Sequence, residues 1–156
     1  MHPARAAGNV DPGTRTTEET SMSESASFSG TELEYLAGQR LGRLATAQPG
    51  GTLQVSPVGF RYNAGTGTID IAGHRMSHSR KFRNVAANGQ AAFVVDDLAS
   101  VQPWRPRCVE IRGYAEAITE PTDSAWGAGS PGGFDGAIIR IHPERILSFG
   151  LDAPSV

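Results

Sequence analysis

The chain has 156 residues, which suits one domain with a core large enough to stand without staples. It carries 14 basic and 16 acidic residues, a net charge of −2, so no overall field recommends nucleic acid or an anionic membrane, and any anion site must come from local clustering. Cys108 is the single cysteine and cannot form an internal disulfide; with no apolar run long enough to span a bilayer and no secretory pattern, the reading is a cytoplasmic protein.

Residues 1–28 are rich in Ser, Thr, Glu, Gly and Ala and hold almost no large apolar side chains. Such a segment cannot offset its ordering entropy and is expected to be a disordered tail, with 29–156 as one domain. The first element is a short helix over 31–39: Thr31 and Glu34 form a T-x-x-E box, and Leu33, Leu36 and Ala37 fall on one face. Strand-like patterning follows over 41–47, and Gln48-Pro49-Gly50-Gly51 is a turn. In the next run, 52–62, Leu53 and Val55 alternate with Gln54 and Ser56. Pro57 removes a ladder donor there, so this strand must be an edge or bulged. A turn at 63–67 leads to a third strand at 68–73.

A second short helix is predicted over 78–87, with Phe82 and Val85 inward and Asn88-Gly89 ending it. Residues 91–95 read as a buried strand, with Asp96-Asp97 in turn or cap duty at its end. The strand over 109–118 alternates, Val109, Ile111 and Gly113 on one side and Glu110, Arg112 and Tyr114 on the other. Residues 119–134 form a Pro/Gly/Ser-rich loop. Strands at 137–141 and 145–149 finish the chain, and Pro143 argues for a break between them. About seven short strands with small helices make a mainly β barrel or sandwich.

The segment 75–84 is the most informative. It packs Arg75, Arg80, Lys81 and Arg83 between a strand and a helix, with Ser77 and Ser79 as hydroxyl donors. A helix start offers free N–H groups and a positive dipole end, which suits a phosphate, and Arg grips phosphate in a bidentate way. A solvated basic helix face accounts for the same residues. Unpaired backbone beside Pro57, in the run from Gln54 through Val55 and Ser56 to Val58, could meet a flat ring, although a merely irregular barrel strand is the simpler explanation of the run. Trp104 and Arg107, flanked by prolines, could wall a pocket, cover a barrel end or serve an oligomer interface. His2, His74, His78 and His142 lack zinc-ligand spacing, and no G-x-S-x-G or Walker motif is present, so no metal site is expected and hydrolysis is not recommended. Cys108 reads as a buried small residue.

The ordered set is Leu44-Ala45-Thr46-Ala47, Gln54-Val55-Ser56-Pro57-Val58, Ser79-Arg80-Lys81-x-Arg83-Asn84, Val94-Val95-Asp96-Asp97, 104–107, then Val109-Glu110-Ile111-Arg112-Gly113-x-Ala115-Glu116. It resembles the pyridoxamine 5′-phosphate oxidase-like superfamily of split β-barrels and, more narrowly, its deazaflavin branch that uses coenzyme F420. The C-terminal run 140–150 is similar to the subgroup containing tetracycline-pathway reductases.

The resemblance implies a six- or seven-stranded split β-barrel with short helices. It also implies a homodimer holding two cofactor sites in its interface, and a small-molecule substrate. The cofactor phosphate would lie on Ser79, Arg80 and Lys81, and the ring along 54–58 near Ile71, Ala72 and Gly73. Trp104, Arg107 and Cys108 would approach the ring from a strand, of the partner subunit in one arrangement. The implied activity is F420-dependent hydride transfer between reduced deazaflavin and an unsaturated or quinone-like acceptor. FMN is the alternative cofactor. A non-catalytic flavin, F420 or haem carrier is the alternative class, with His74 or His78 as axial ligand. Catalytic residues stay unassigned; Tyr62, His74 and His78 are proton-donor candidates by chemistry. The residues that bind pyridoxal phosphate in the classical oxidases are not recognisable.

Overall fold

The computed structural model describes residues 25–127 and 134–152. The elements are α1 (Gly30–Ala37), β1 (Leu41–Ala47), β2 (Leu53–Asn63), β3 (Thr68–Ala72), a 3-10 turn (Met76–His78), α2 (Arg80–Asn88), β4 (Gln90–Ser100), β5 (Arg105–Ile118) and β6 (Ile138–Phe149). The six strands close into an antiparallel barrel in the order β1-β2-β3-β6-β5-β4. Most of the predicted tail, residues 1–24, lies outside the described residues. The last four residues assigned to it pack on the barrel: the Ala26 N–H donates to the Pro143 carbonyl at 2.9 Å, and Phe28 meets Tyr62 edge-on.

The two strands expected at the C-terminus are one. β6 runs through Pro143 because a bulge absorbs the missing donor: Arg112 faces Arg145 but Gly113 faces Pro143, leaving Glu144 as the extra residue. Gly113 makes that possible, since a Cβ there would lie 2.0 Å from the His142 carbonyl oxygen. α1 starts a residue earlier than predicted. Its capping box is Ser29 with Glu32, not Thr31 with Glu34, and Tyr35 and Leu36 are its buried apolar residues while Ala37 is exposed. β4 is longer than the predicted buried strand and reaches Ser100, with Val94 only half-buried, so it is covered on one face alone.

Alternate residues of every strand fill the interior. Leu44, Phe60, Ile69, Ile71, Phe93, Val95, Val109, Ile111, Ile139 and Ile141 form one cluster. Gly42 leaves space for the Phe93 ring, whose nearest atom would be 2.1 Å from a Cβ at that position. α1 reaches one end of β4, where the Tyr35 hydroxyl donates to Asp97 Oδ1 at 2.9 Å. α2 packs toward the other: the Asn84 amide donates to Thr46 Oγ1 at 3.1 Å, and Thr46 faces Ala91 near the start of β4. Asp96 and Asp97 therefore sit inside β4 as salt-bridge partners of Arg43 and Arg107, not in a turn.

The chain before β6 folds back over the outside of β3. Asp70, fully buried, accepts from Arg140 Nε at 3.0 Å, Asn63 Nδ2 at 2.9 Å, Thr68 Oγ1 at 3.1 Å and the Ala125 N–H at 2.9 Å. Arg140 also bonds Asp123 at 2.9 Å. Burial alone would raise the Asp70 carboxyl; the bonds from Arg140, Ala125 and Asn63 outweigh it and hold the group below its ordinary range.

Candidate functional site

β1 pairs with β2 along Leu53–Gly59, but β3 pairs only with Gly59–Asn63. The Leu53–Val58 half of β2 therefore has no strand on its β3 side among the described residues. Pro57 lies in that half, as its missing donor demands. The alternation around it is inverted relative to an ordinary barrel strand. Leu53 (79% exposed) and Val55 (68% exposed) face outward with Pro57, while Gln54 and Ser56 are half-buried. Ser56 Oγ is buried without a hydrogen-bond partner. Ala72, directly opposite Gly59, ends β3, and Gly73 carries the chain on toward α2.

α2 begins with the predicted basic residues. Ser79 is its N-cap: Ser79 Oγ accepts the Phe82 N–H at 3.2 Å and donates to the Met76 carbonyl at 2.7 Å, so this hydroxyl shapes the turn. Ser77 is likewise engaged, its N–H donating to Asp135 at 3.0 Å. Arg80, Lys81 and Arg83 make no ion pair among the described residues. Arg75 stands just upstream in a left-handed conformation (φ 49°), unusual for a side chain of this kind. Asn84, one turn into the helix, donates to both Thr46 Oγ1 and Gln54 Oε1 (3.3 Å). That bridge ties the basic helix start to the open half of β2. Of the predicted ring-side residues Gln54 is the one bonded to α2; Val55 and Pro57 face outward from the opposite side of the strand, and Val58 is buried in the core.

Trp104 and Arg107 are not in this group. Trp104 lies exposed in the β4–β5 turn, and β4 separates Ala91 from Ser100 by nine residues, about 30 Å of strand. Arg107 is occupied by Asp97 (Nε to Oδ1 2.8 Å) and lies 5.0 Å from the Tyr35 ring centroid. That guanidinium holds the Asp97 carboxyl below its ordinary range, and burial pushes the Tyr35 phenol up. Ile71 faces the core, fully buried, and cannot reach a ring. Burial and the nearby Asp96 and Glu110 carboxylates raise the Cys108 thiol, which disfavours a nucleophile. His74 and His78 are exposed and Tyr62 is half-buried, each in a different setting.

Sequence reasoning missed Trp126. The indole N–H donates to the Asp70 carbonyl at 3.0 Å, Phe134 meets the ring edge-on, and the Arg61 guanidinium lies 4.3 Å from its centroid. Its outer edge is 3.5 Å from where a Gly59 Cβ would stand. The only sequence signal was a lone Trp in a polar loop, and its anchor, Asp70 with Arg140, is 70 residues apart in the chain.

The sequence pattern of pyridoxamine 5′-phosphate oxidase matches residues 31–149. The chain is 43% identical over 125 residues, 80% of its length and 84% of the relative's, to the 5a,11a-dehydrotetracycline/5a,11a-dehydrooxytetracycline reductase of Streptomyces rimosus. Among solved structures it is similar to an FAD-binding protein of Mycobacterium smegmatis (TM-score 0.59, 23% identity, covering 78% of this chain and 96% of that one). It is also similar to an F420 reductase (TM-score 0.52, 24% identity, 69% and 89%). The barrel, its helix placement and a match over most of the chain agree: this protein belongs to the pyridoxamine 5′-phosphate oxidase family.

Proposed function

We propose that the protein is an oxidoreductase that binds coenzyme F420 and reduces an unsaturated or quinone-like small molecule. The observation that carries this is an unpaired strand edge with a partnerless buried hydroxyl, bridged through Gln54 and Asn84 to a helix that begins with uncompensated cations. The 43% identical reductase supports the reaction class. The residues fit the group. Val55 and Pro57 offer an apolar outer surface for a ring, while Ser56 Oγ, on the opposite face of the strand, has a bond to give that the protein leaves unused.

Bound reduced F420 supplies a hydride from C5, and that chemistry is the cofactor's own. The chain's part is to bind and orient. Arg80 and Lys81 hold the phosphate at the α2 start, with the first-turn N–H groups adding dipole attraction. Asn84 fixes Gln54, so the strand edge and the clamp move as one piece. Ser79 sets the helix start and positions Arg80 and Lys81; it does not itself offer a free hydroxyl.

We further propose a homodimer with the cofactor at its interface. Leu53 and Val55, with Ala45 and Ala92 opposite Val55 across β1, give an apolar outer face that a second copy would cover, and Trp104 of that copy would reach the ring. FMN carries the same phosphate and a related ring, so the same cradle would hold it; a haem or storage role would use His74 or His78.

Titration of the purified protein with coenzyme F420, FMN and haem, followed by absorbance and fluorescence, decides among these. F420 is expected to bind, and Lys81→Glu to weaken it at least tenfold with the fold intact. Tight FMN binding with none for F420 overturns the cofactor assignment, and unchanged affinity in Lys81→Glu overturns the clamp.

A further inference from the structure

Past Gly59, β2 turns from the open edge into the wall of a second cavity. It has a volume of about 590 Å³ and lies between α1 and Trp126. Leu33 and Leu36 form one side, Tyr62 and Trp126 the other. This volume is in the range of a drug-sized ligand. Two arginines, Arg40 and Arg61, also line it, and no Asp or Glu does. Neither arginine has an ion-pair partner among the described residues. Asp96, Asp97, Asp70 and Asp123 are taken by Arg43, Arg107 and Arg140. Trp126 is a fixed wall, because the Asp70 backbone carbonyl accepts its indole N–H and the Asp70 carboxylate accepts the preceding Ala125 N–H. Arg61 is aimed by its contact with that indole.

We propose that this groove is the acceptor site and takes a planar, conjugated molecule carrying an anionic group, a carboxylate or an enolate. Charge complementarity names the occupant: two uncompensated guanidinium groups at the mouth of an apolar, aromatic-walled cavity favour a flat anion over a neutral compound. Position links it to the chemistry, since β2 runs unbroken from the cofactor edge at 54–58 to the groove wall at 60–62, with Trp126 against Gly59 at the junction. The requirement for conjugation rests on the hydride-transfer reading above; the preference for a flat anion does not.

Isothermal calorimetry of the full chain with anthraquinone-2-carboxylate and its neutral carboxamide tests this. The carboxylate is expected to bind about tenfold tighter than the amide. Arg40→Gln with Arg61→Gln should erase that preference, and Trp126→Ala should weaken both probes. Equal affinity for the two probes, or a preference that survives loss of both arginines, overturns the proposal. So does a shift of oligomeric state in sedimentation when Trp126 is replaced with carboxylate affinity unchanged, which would make the occupant a second copy. F420 and FMN titrations run alongside keep the two readings apart. Cofactor binding without a charge preference sinks the groove alone. An arginine-dependent preference without cofactor binding sinks only the redox reading.

Discussion

Replacing Asp70 by Asn removes one charge from a fully buried pair without changing shape. The carboxylate accepts from Arg140, Asn63, Thr68 and the Ala125 N–H, and Arg140 keeps only the half-exposed Asp123 when the charge goes. Breaking a buried pair from one side costs about 3–5 kcal/mol, because the remaining charge stays desolvated. With an m-value of about 2 kcal/mol/M, the urea midpoint should fall by roughly 2 M. The variant should still fold at low denaturant, since domains of this kind hold about 5–15 kcal/mol. Adding Arg140→Met should recover part of the loss, giving a coupling of at least about 1 kcal/mol in the double-mutant cycle. Because the Asp70 carboxylate accepts the Ala125 N–H beside Trp126, the single variant should also weaken anthraquinone-2-carboxylate binding, while the indole bond to the Asp70 backbone carbonyl remains. A loss under about 1 kcal/mol, or additive single effects, would refute the view that this pair pins the loop over β3.

Ser56→Ala removes a buried hydroxyl that lacks a partner. The cofactor-free protein should gain up to about 1 kcal/mol in thermal unfolding while cofactor affinity drops; loss of stability instead would mean the hydroxyl is already satisfied. Gly113→Ala puts a Cβ against the His142 carbonyl and should cost about 3 kcal/mol by urea titration, with a wild-type midpoint counting against the bulge geometry. Asp97 has its folded pKa depressed, first by the Arg107 bond, so it binds fewer protons folded than unfolded. Its stabilising contribution is present above the unfolded carboxylate value near 4 and is lost as pH falls through the folded one. Asp97→Asn should therefore be less stable than wild type at neutral pH and lose less on acidification, and parallel curves for the two would contradict this.

The strands were legible because outward and inward residues alternate within a few positions. Pro57 gave away the unpaired edge, since a residue without an N–H tolerates few places in a sheet. Pro143 misled for the same reason: a bulge also accommodates it, and whether a bulge forms depends on Gly113, 30 residues away. The basic helix start was visible as charge, but the role of Ser79 as a cap depended on where the helix began. Arg107 looked available in the sequence because its partner lies on a neighbouring strand and their phenol neighbour on α1. The groove was invisible for a related reason: Arg40, Arg61 and Trp126 come from a loop, a strand and a distant excursion, and no local pattern connects them.

The bare half of β2 has a cost unconnected with catalysis. A sheet edge five or six residues long with apolar side chains at Leu53 and Val55 is a template on which another extended chain can grow. Pro57 interrupts that template, because a strand docking there finds a missing donor near its end. Pro57 thus also guards the edge against aggregation by strand addition.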